Sequence, residues 1–141
     1  MNVFLDTSAV VKLYFFEAGS PQLRARLRSA TGHVYLSALT PVEFASAAEK
    51  KVRTGEVTTA TSQRAMNLFR QDAAQYRLIA LAEPVLQTAA QLVSTYSASA
   101  LRALDAIQLA CALQVRTDAV LFLTADARLE AIFVQEGLPI Q

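Results

Sequence analysis

The chain has 141 residues, of which 53% are hydrophobic and 18% charged, with a formal net charge of +1. That length suits one compact domain, 1–141, able to bury a core without disulfides or structural metal. A single cysteine, Cys111, excludes a disulfide framework and zinc-finger spacing, and the near-zero net charge excludes a global basic field as the basis of nucleic-acid binding.

The opening residues lack the basic head, long apolar middle and small-residue cleavage site of a secretory signal, so a cytoplasmic location is expected. Val3-Phe4-Leu5 is a short apolar run ending in Asp6, and Thr7-Ser8 opens a helical pattern through Ala9, Val10, Leu13 and Tyr14. This reads as strand, acid, helix. Gly19 and Pro21 lead into an arginine-bearing helix, where Arg24, Arg26 and Arg28 read as a solvated face. A loop holding Gly32 and His33 precedes a second strand at 34–36, and Thr40-Pro41 starts a helix that Gly55 ends as a C-cap. The spacing of Ala65, Leu68, Phe69 and Ala73 predicts a helix over 58–75, followed by a third strand at 76–81. A helix over 85–96 comes next, then a loop or helix junction at Ser97-Ala98-Ser99. An almost wholly apolar, buried helix follows over 103–115, with Cys111 as a small core hydrophobe. A fourth strand at 119–123, a helix over 127–135 and a short last strand at 138–140 complete the chain. Strands alternating with helices indicate an α/β fold whose mostly parallel sheet is covered on both faces. No apolar stretch runs far enough without charge to cross a bilayer, and the high apolar content favours a homodimer or a partner-covered patch.

In open parallel sheets ligands bind beyond the carboxyl ends of the strands. Asp6 follows strand one, Glu43 lies in the first turn after strand two, Asp126 follows strand four, and Asp105 begins the apolar helix. Among the hydrocarbon of Leu101, Leu104, Ile107 and Leu109, an ionised Asp105 is costly unless paired or bound to a cation. Each acid alone can equally be a helix cap. Thr40-Pro41-Val42-Glu43 matches a capping box, Asp105 with Gln108 suits an N-cap, and Asp6 and Asp126 precede helices. Caps would be scattered, whereas four carboxylates on one sheet edge repel one another and raise some of their own pKa values. A hard divalent cation, Mg²⁺ or Mn²⁺, removes that conflict and suits an oxygen-only ligand set. With His33 as the lone histidine, placed in a loop, zinc is disfavoured. Such a site supports phosphodiester hydrolysis, with Ser8 and Thr124 able to fix a carboxylate or to serve as ordinary turn hydroxyls.

The segments Val3-Phe4-Leu5-Asp6-Thr7-Ser8, Thr40-Pro41-Val42-Glu43, Leu104-Asp105-Ala106-Ile107-Gln108-Leu109-Ala110 and Leu123-Thr124-Ala125-Asp126 resemble PIN-domain proteins, and more closely the VapC-like toxins of type II toxin-antitoxin systems. The resemblance implies a three-layer α/β/α sandwich and an acidic site that cleaves RNA with Mg²⁺ or Mn²⁺. By the same resemblance Asp6 and Asp105 are direct metal ligands, and Glu43 and Asp126 complete the cluster directly or through water. It further implies a homodimer and a cognate antitoxin. A dehalogenase-like phosphatase would need an acid where Ser8 stands, and a receiver domain would need a late lysine, yet the lysines are Lys12, Lys50 and Lys51. The remaining alternative is a catalytically inactive PIN-like binding or scaffold module. Lys12, Arg24, Arg28, Arg102 and Arg128 are candidates for phosphate contact.

Overall fold

A computed structural model describes residues 1–30, 32–119 and 121–141. Its elements follow the expected alternation: β1 (Val3–Leu5), α1 (Thr7–Tyr14), α2 (Ser20–Leu27), β2 (Val34–Ser37), α3 (Thr40–Arg53), α4 (Thr59–Ala73), β3 (Arg77–Ile79), α5 (Glu83–Thr95), α6 (Ala103–Gln114), β4 (Leu121–Leu123) and α7 (Ala127–Gln135). The junction after α5 is a 3-10 turn at Ser97–Ser99. Of the strand expected at 119–123, Val120 lies outside the described residues.

The strands pair in the order β3-β2-β1-β4, all parallel, with Phe4 level with Tyr35 on one side and Phe122 on the other. Alternation along β1 and β4 divides the apolar residues between two cores. Val3, Leu5, Leu121 and Leu123 face α1 to α4, whereas Phe4 and Phe122 face α5 to α7. Strands covered on both faces must be apolar throughout, which is why Val-Phe-Leu and Leu-Phe-Leu show no polar alternation. The result is the expected α/β/α sandwich. Phe44 stacks on Phe69 at 4.5 Å in the first core, and in the second Phe133 meets both Phe4 and Phe122 edge-on. Each aromatic pair contributes about 0.5–1.5 kcal/mol beyond its buried area. In α6 the buried residues Ala106, Ala110, Cys111 and Ala112 are small, so the helix lies close against α5 and the sheet. Cys111 donates to Ser37 Oγ at 3.3 Å, and burial pushes its thiol pKa up, as befits a core residue.

Gly55 caps α3 as expected. At φ 76° its amide bonds Val52 O while Glu56 N bonds Lys51 O, the paired closure of a Schellman motif. Gly137 closes α7 in the same way, and this explains a correction. No strand forms at 138–140. The Leu138 amide is used by Phe133 O in the helix closure and Pro139 has no amide, so among the described residues this segment meets the sheet through Pro139 O, which accepts from Phe122 N at 2.8 Å.

Chain direction fixes where a ligand can enter. From β1 the chain steps through β2 to β3 on one side and returns to β4 on the other. The carboxyl ends of β1 and β4 therefore flank the topological switch point.

Candidate active site

All four acids singled out in the sequence line one open cavity of about 790 Å³, together with Thr7, Ser8, Lys50, Arg102 and Gln108. They reach it from equivalent places. Asp6 and Asp126 are the N-caps of α1 and α7, and Glu43 and Asp105 lie in the first turns of α3 and α6. Free amides at each helix start carry partial positive charge, typically worth about 0.3–1 kcal/mol to a nearby carboxylate. Capping and convergence are thus not alternatives, and the expectation that caps would be scattered is corrected. Asp6 Oδ1 accepts from Ala9 N at 3.1 Å, and Asp126 Oδ1 from Arg128 N and Leu129 N at 2.9 and 3.1 Å, while both residues line the cavity.

At the switch point the loops after β1 and β4 are laced together. Thr124 Oγ1 donates to Asp6 Oδ2 at 2.9 Å, and Ser8 Oγ lies 2.8 Å from Asp6 Oδ1. Ser8 in turn accepts from Ala125 N at 2.9 Å, and Thr124 accepts from Asp126 N at 3.0 Å. Both hydroxyls stand where the sequence placed them. Asp6 is only 4% exposed. Burial pushes its pKa up to about 6, against the opposing hydrogen bonds from Ala9, Ser8 and Thr124, and the charge of Asp126 adds to the rise.

The other half of the cavity departs from expectation. Leu39, not Thr40, precedes α3, and the buried Thr40 hydroxyl faces inward, 3.2 Å from both Thr7 Oγ1 and Gln108 Nε2. Glu43 Oε1 accepts from Thr7 Oγ1 and from Gln108 Nε2, each at 2.7 Å. The capping box therefore does not form, because residues from α1 and α6 have taken the carboxylate that would have reached back to Thr40. Gln108 is 2% exposed, and its Oε1 has no partner among the described residues. Such an orphan costs about 1–3 kcal/mol. Turning the amide over would not relieve it, since Oε1 would then stand 2.7 Å from a carboxylate oxygen.

Asp105 is not an N-cap either. Arg102 precedes α6, and its Nε approaches Asp105 Oδ2 at 3.4 Å. With the Arg102 side chain 75% exposed, this ion pair is worth at most about 1 kcal/mol. The sequence placed the cost of a buried charge on Asp105, but that residue keeps 22% of its side chain exposed while Ala106, Leu109 and Ala110 turn into the core. The buried acid is Asp6.

Among the described residues no three His, Cys, Asp or Glu side chains stand close enough together to hold a metal ion as they are. The donor chemistry nevertheless suits a hard cation. Mg²⁺ typically takes one or two carboxylates directly and keeps several waters, so a ready-made cage is not required. The pKa of Asp6 is raised chiefly by burial, with the charge of Asp126 adding to it, and a cation beside the carboxylate would offset both.

Of the five basic residues proposed to meet phosphate, only Arg102 lines the cavity. Lys12 is engaged by Glu17 and Ala18 O, Arg24 bonds Leu13 O, Arg24 and Arg28 border a separate hollow, and Arg128 bonds Ala100 O. Lys50, on α3, lines the cavity and was not anticipated. Thr7 and Gln108 were missed as well. A glutamine in the middle of an almost wholly apolar helix was the available signal, since a buried amide must find partners. His33 is exposed in its loop as expected.

The sequence profile of the PIN domain matches residues 3–133. A ribonuclease named VapC47, from Mycobacterium tuberculosis (strain CDC 1551 / Oshkosh), is 32% identical over 130 residues, covering 90% of this chain and 86% of the relative. Among solved structures, M. tuberculosis VapC20, described as a sarcin-ricin loop cleaving toxin, superposes with a TM-score of 0.70 at 14% identity, covering 92% of this chain and 94% of that one. VapBC2 from Rickettsia felis, bound to a DNA fragment from their promoter, gives a TM-score of 0.65 at 14% identity, covering 99% and 96%. Likeness at that identity establishes the fold.

Proposed function

This chain belongs to the PIN-domain family as a homologue of the VapC ribonuclease toxins, and from that membership we propose that it is a divalent-metal-dependent endoribonuclease, the toxin of a type II toxin-antitoxin pair. The observation that carries the reading is the meeting of Asp6, Glu43, Asp105 and Asp126 in one cavity at the switch point of the sheet. Asp6 and Asp105 would hold Mg²⁺ or Mn²⁺, with Glu43 and Asp126 completing the set directly or through water. When bound, such a cation offsets the mutual repulsion of the carboxylates, polarises a phosphodiester and lowers the pKa of an attacking water.

The chain's own residues do the placing. Ser8 and Thr124 fix the two oxygens of Asp6, the α7 amides fix Asp126, and Thr7 with Gln108 fixes Glu43. Lys50 and Arg102 stand at the same cavity to meet RNA phosphates. Val42 and Leu104, exposed beside Glu43 and Asp105, give the cavity apolar lips. We infer a cytoplasmic protein of one nuclease domain, homodimeric, and silenced by a cognate antitoxin. Among the described residues no helix is long and apolar enough to cross a membrane.

The rival reading, an inactive PIN-like binding module, draws on the lack of a three-ligand cluster among the described residues. One experiment separates the two. Purified antitoxin-free protein is incubated with total cellular RNA in Mg²⁺ or Mn²⁺, with and without chelator, beside Asp6→Asn. Discrete fragments that vanish with chelator and in the variant support the nuclease. Intact RNA from folded protein under every metal condition moves the binding module ahead.

A further inference from the structure

Gln108 stands where no acid, hydroxyl or basic residue of the proposed chemistry required it. It is buried in α6, one turn from Asp105, and its Nε2 lies 3.0 Å from Thr7 Oγ1, 3.2 Å from Thr40 Oγ1 and 2.7 Å from Glu43 Oε1. Both of the hydrogen bonds to Glu43 fall on the same oxygen, Oε1. Glu43 lines the cavity and keeps part of its surface exposed.

We propose that Gln108 is a positioning residue for the metal site: with Thr7 it pins Oε1 of Glu43 and so presents the other carboxylate oxygen, Oε2, to the acid cavity in one fixed orientation. The inference rests on the metal-dependent reading of that cavity. A glutamine serving only to tie α1, α3 and α6 together could do so through the hydroxyls of Thr7 and Thr40 alone, with its carbonyl paired and the carboxylate left out of the cluster. Thr7 and Thr40 are hydroxyls and could donate to an amide oxygen as readily as accept from an amide nitrogen. The amide instead turns its nitrogen toward them and leaves Oε1 without a partner among the described residues. The group that cannot be reversed is the acceptor-only carboxylate, so Glu43 sets the orientation of the amide, and the amide sets that of Glu43.

The test is Mn²⁺ binding by calorimetry, with chelator-stripped melting temperatures beside it, on the full chain. Gln108→Leu, similar in size but without hydrogen bonds, is expected to weaken Mn²⁺ about tenfold, the scale of losing a partner that orients a ligand. In a Glu43→Ala background the same change is expected to cost almost nothing further, because the residue it acts through is gone. Thr7→Val removes the second grip on Oε1 and is expected to act in the same direction, with Thr7→Ser restoring affinity. It carries the test should Gln108→Leu fail to fold. Equal losses with and without Glu43, or a lowered melting temperature with unchanged Mn²⁺ affinity, would overturn the proposal and leave Gln108 as a structural tie. Failure of the wild type itself to bind Mn²⁺ would remove the metal reading, and this inference with it, a result distinct from the other two.

Discussion

At the β1–β4 end of the cavity Asp6 is held by groups two and three residues away and by Thr124 across the switch point, whereas Glu43 is held by Thr7, 36 residues earlier, and Gln108, 65 residues later. The first arrangement is built at strand ends, where two short loops and two helix starts fix a carboxylate whatever the outer helices do. Its cost is electrostatic, a charge buried beside another charge. The second depends on α1, α3 and α6 keeping their mutual positions, and its cost is an unpartnered carbonyl. Damage at the first end should therefore act on charge, and damage at the second on geometry.

The comparison breaks most visibly at Asp6. Asp6→Asn is expected to lower metal-dependent RNA cleavage by roughly three orders of magnitude, since several kcal/mol of charge stabilisation are at stake. Thr124→Val, which removes the donor to Asp6 Oδ2, is expected to cost about ten- to a hundredfold in the same assay. If Thr124→Val proved as harmless as a change on the outer surface, the strand-end lacing would be structural only.

The electrostatic cost at Asp6 also has a sign. Its folded pKa of about 6 lies above the ordinary 3.8, so between those values the native state binds more protons than the unfolded chain. Metal-free stability should be free of the penalty below about pH 4, fall as pH rises, and carry the full cost, about 3 kcal/mol, above pH 6. Asp6→Asn should then melt higher than the wild type at pH 7.5 without metal, with the difference fading by pH 4. Parallel melting curves across that range would show that burial carries no such penalty for the Asp6 carboxylate.

What could be seen in the sequence follows the same division. Apolar runs bounded by acids marked β1 and β4, because a strand buried on both faces must be apolar and the residue after it begins a helix. Asp6, Ser8, Thr124 and Asp126 were legible for that reason, their partners being near in sequence or at an equivalent strand end. The mutual grip of Thr7, Thr40, Gln108 and Glu43 was not, since it appears only when three helices pack. Local pattern instead suggested a capping box, which lost to tertiary partners. The burial of Asp105 was overestimated for a related reason. Composition gives a helix's neighbours but not its facing, and α6 turns Ala106, Leu109, Ala110 and Ala112 inward while Asp105 stays partly exposed at the cavity. The strand expected at 138–140 failed on hydrogen-bond supply, which a proline and a helix closure had already used.

The smallest expected effects concern the RNA rather than the acids, and they sharpen which end of the cavity the strand crosses. Binding would be followed by anisotropy in chelator on the Asp6→Asn background, so that cleavage does not intrude. Lys50→Ala is expected to weaken RNA a few-fold at moderate salt and to lessen the salt slope by about 0.7, the contribution of one phosphate contact on a single strand. Arg102→Ala should change the slope by the same amount but lose more affinity, because it also leaves the Asp105 carboxylate unpaired in the path of a polyanion. Arg24→Ala should change neither, as its guanidinium is bonded to Leu13 O beside a different hollow. Were Arg24 to matter as much as Lys50, the RNA would run along α2 instead of past Glu43, and the half of the site built by tertiary packing would lie off the substrate path.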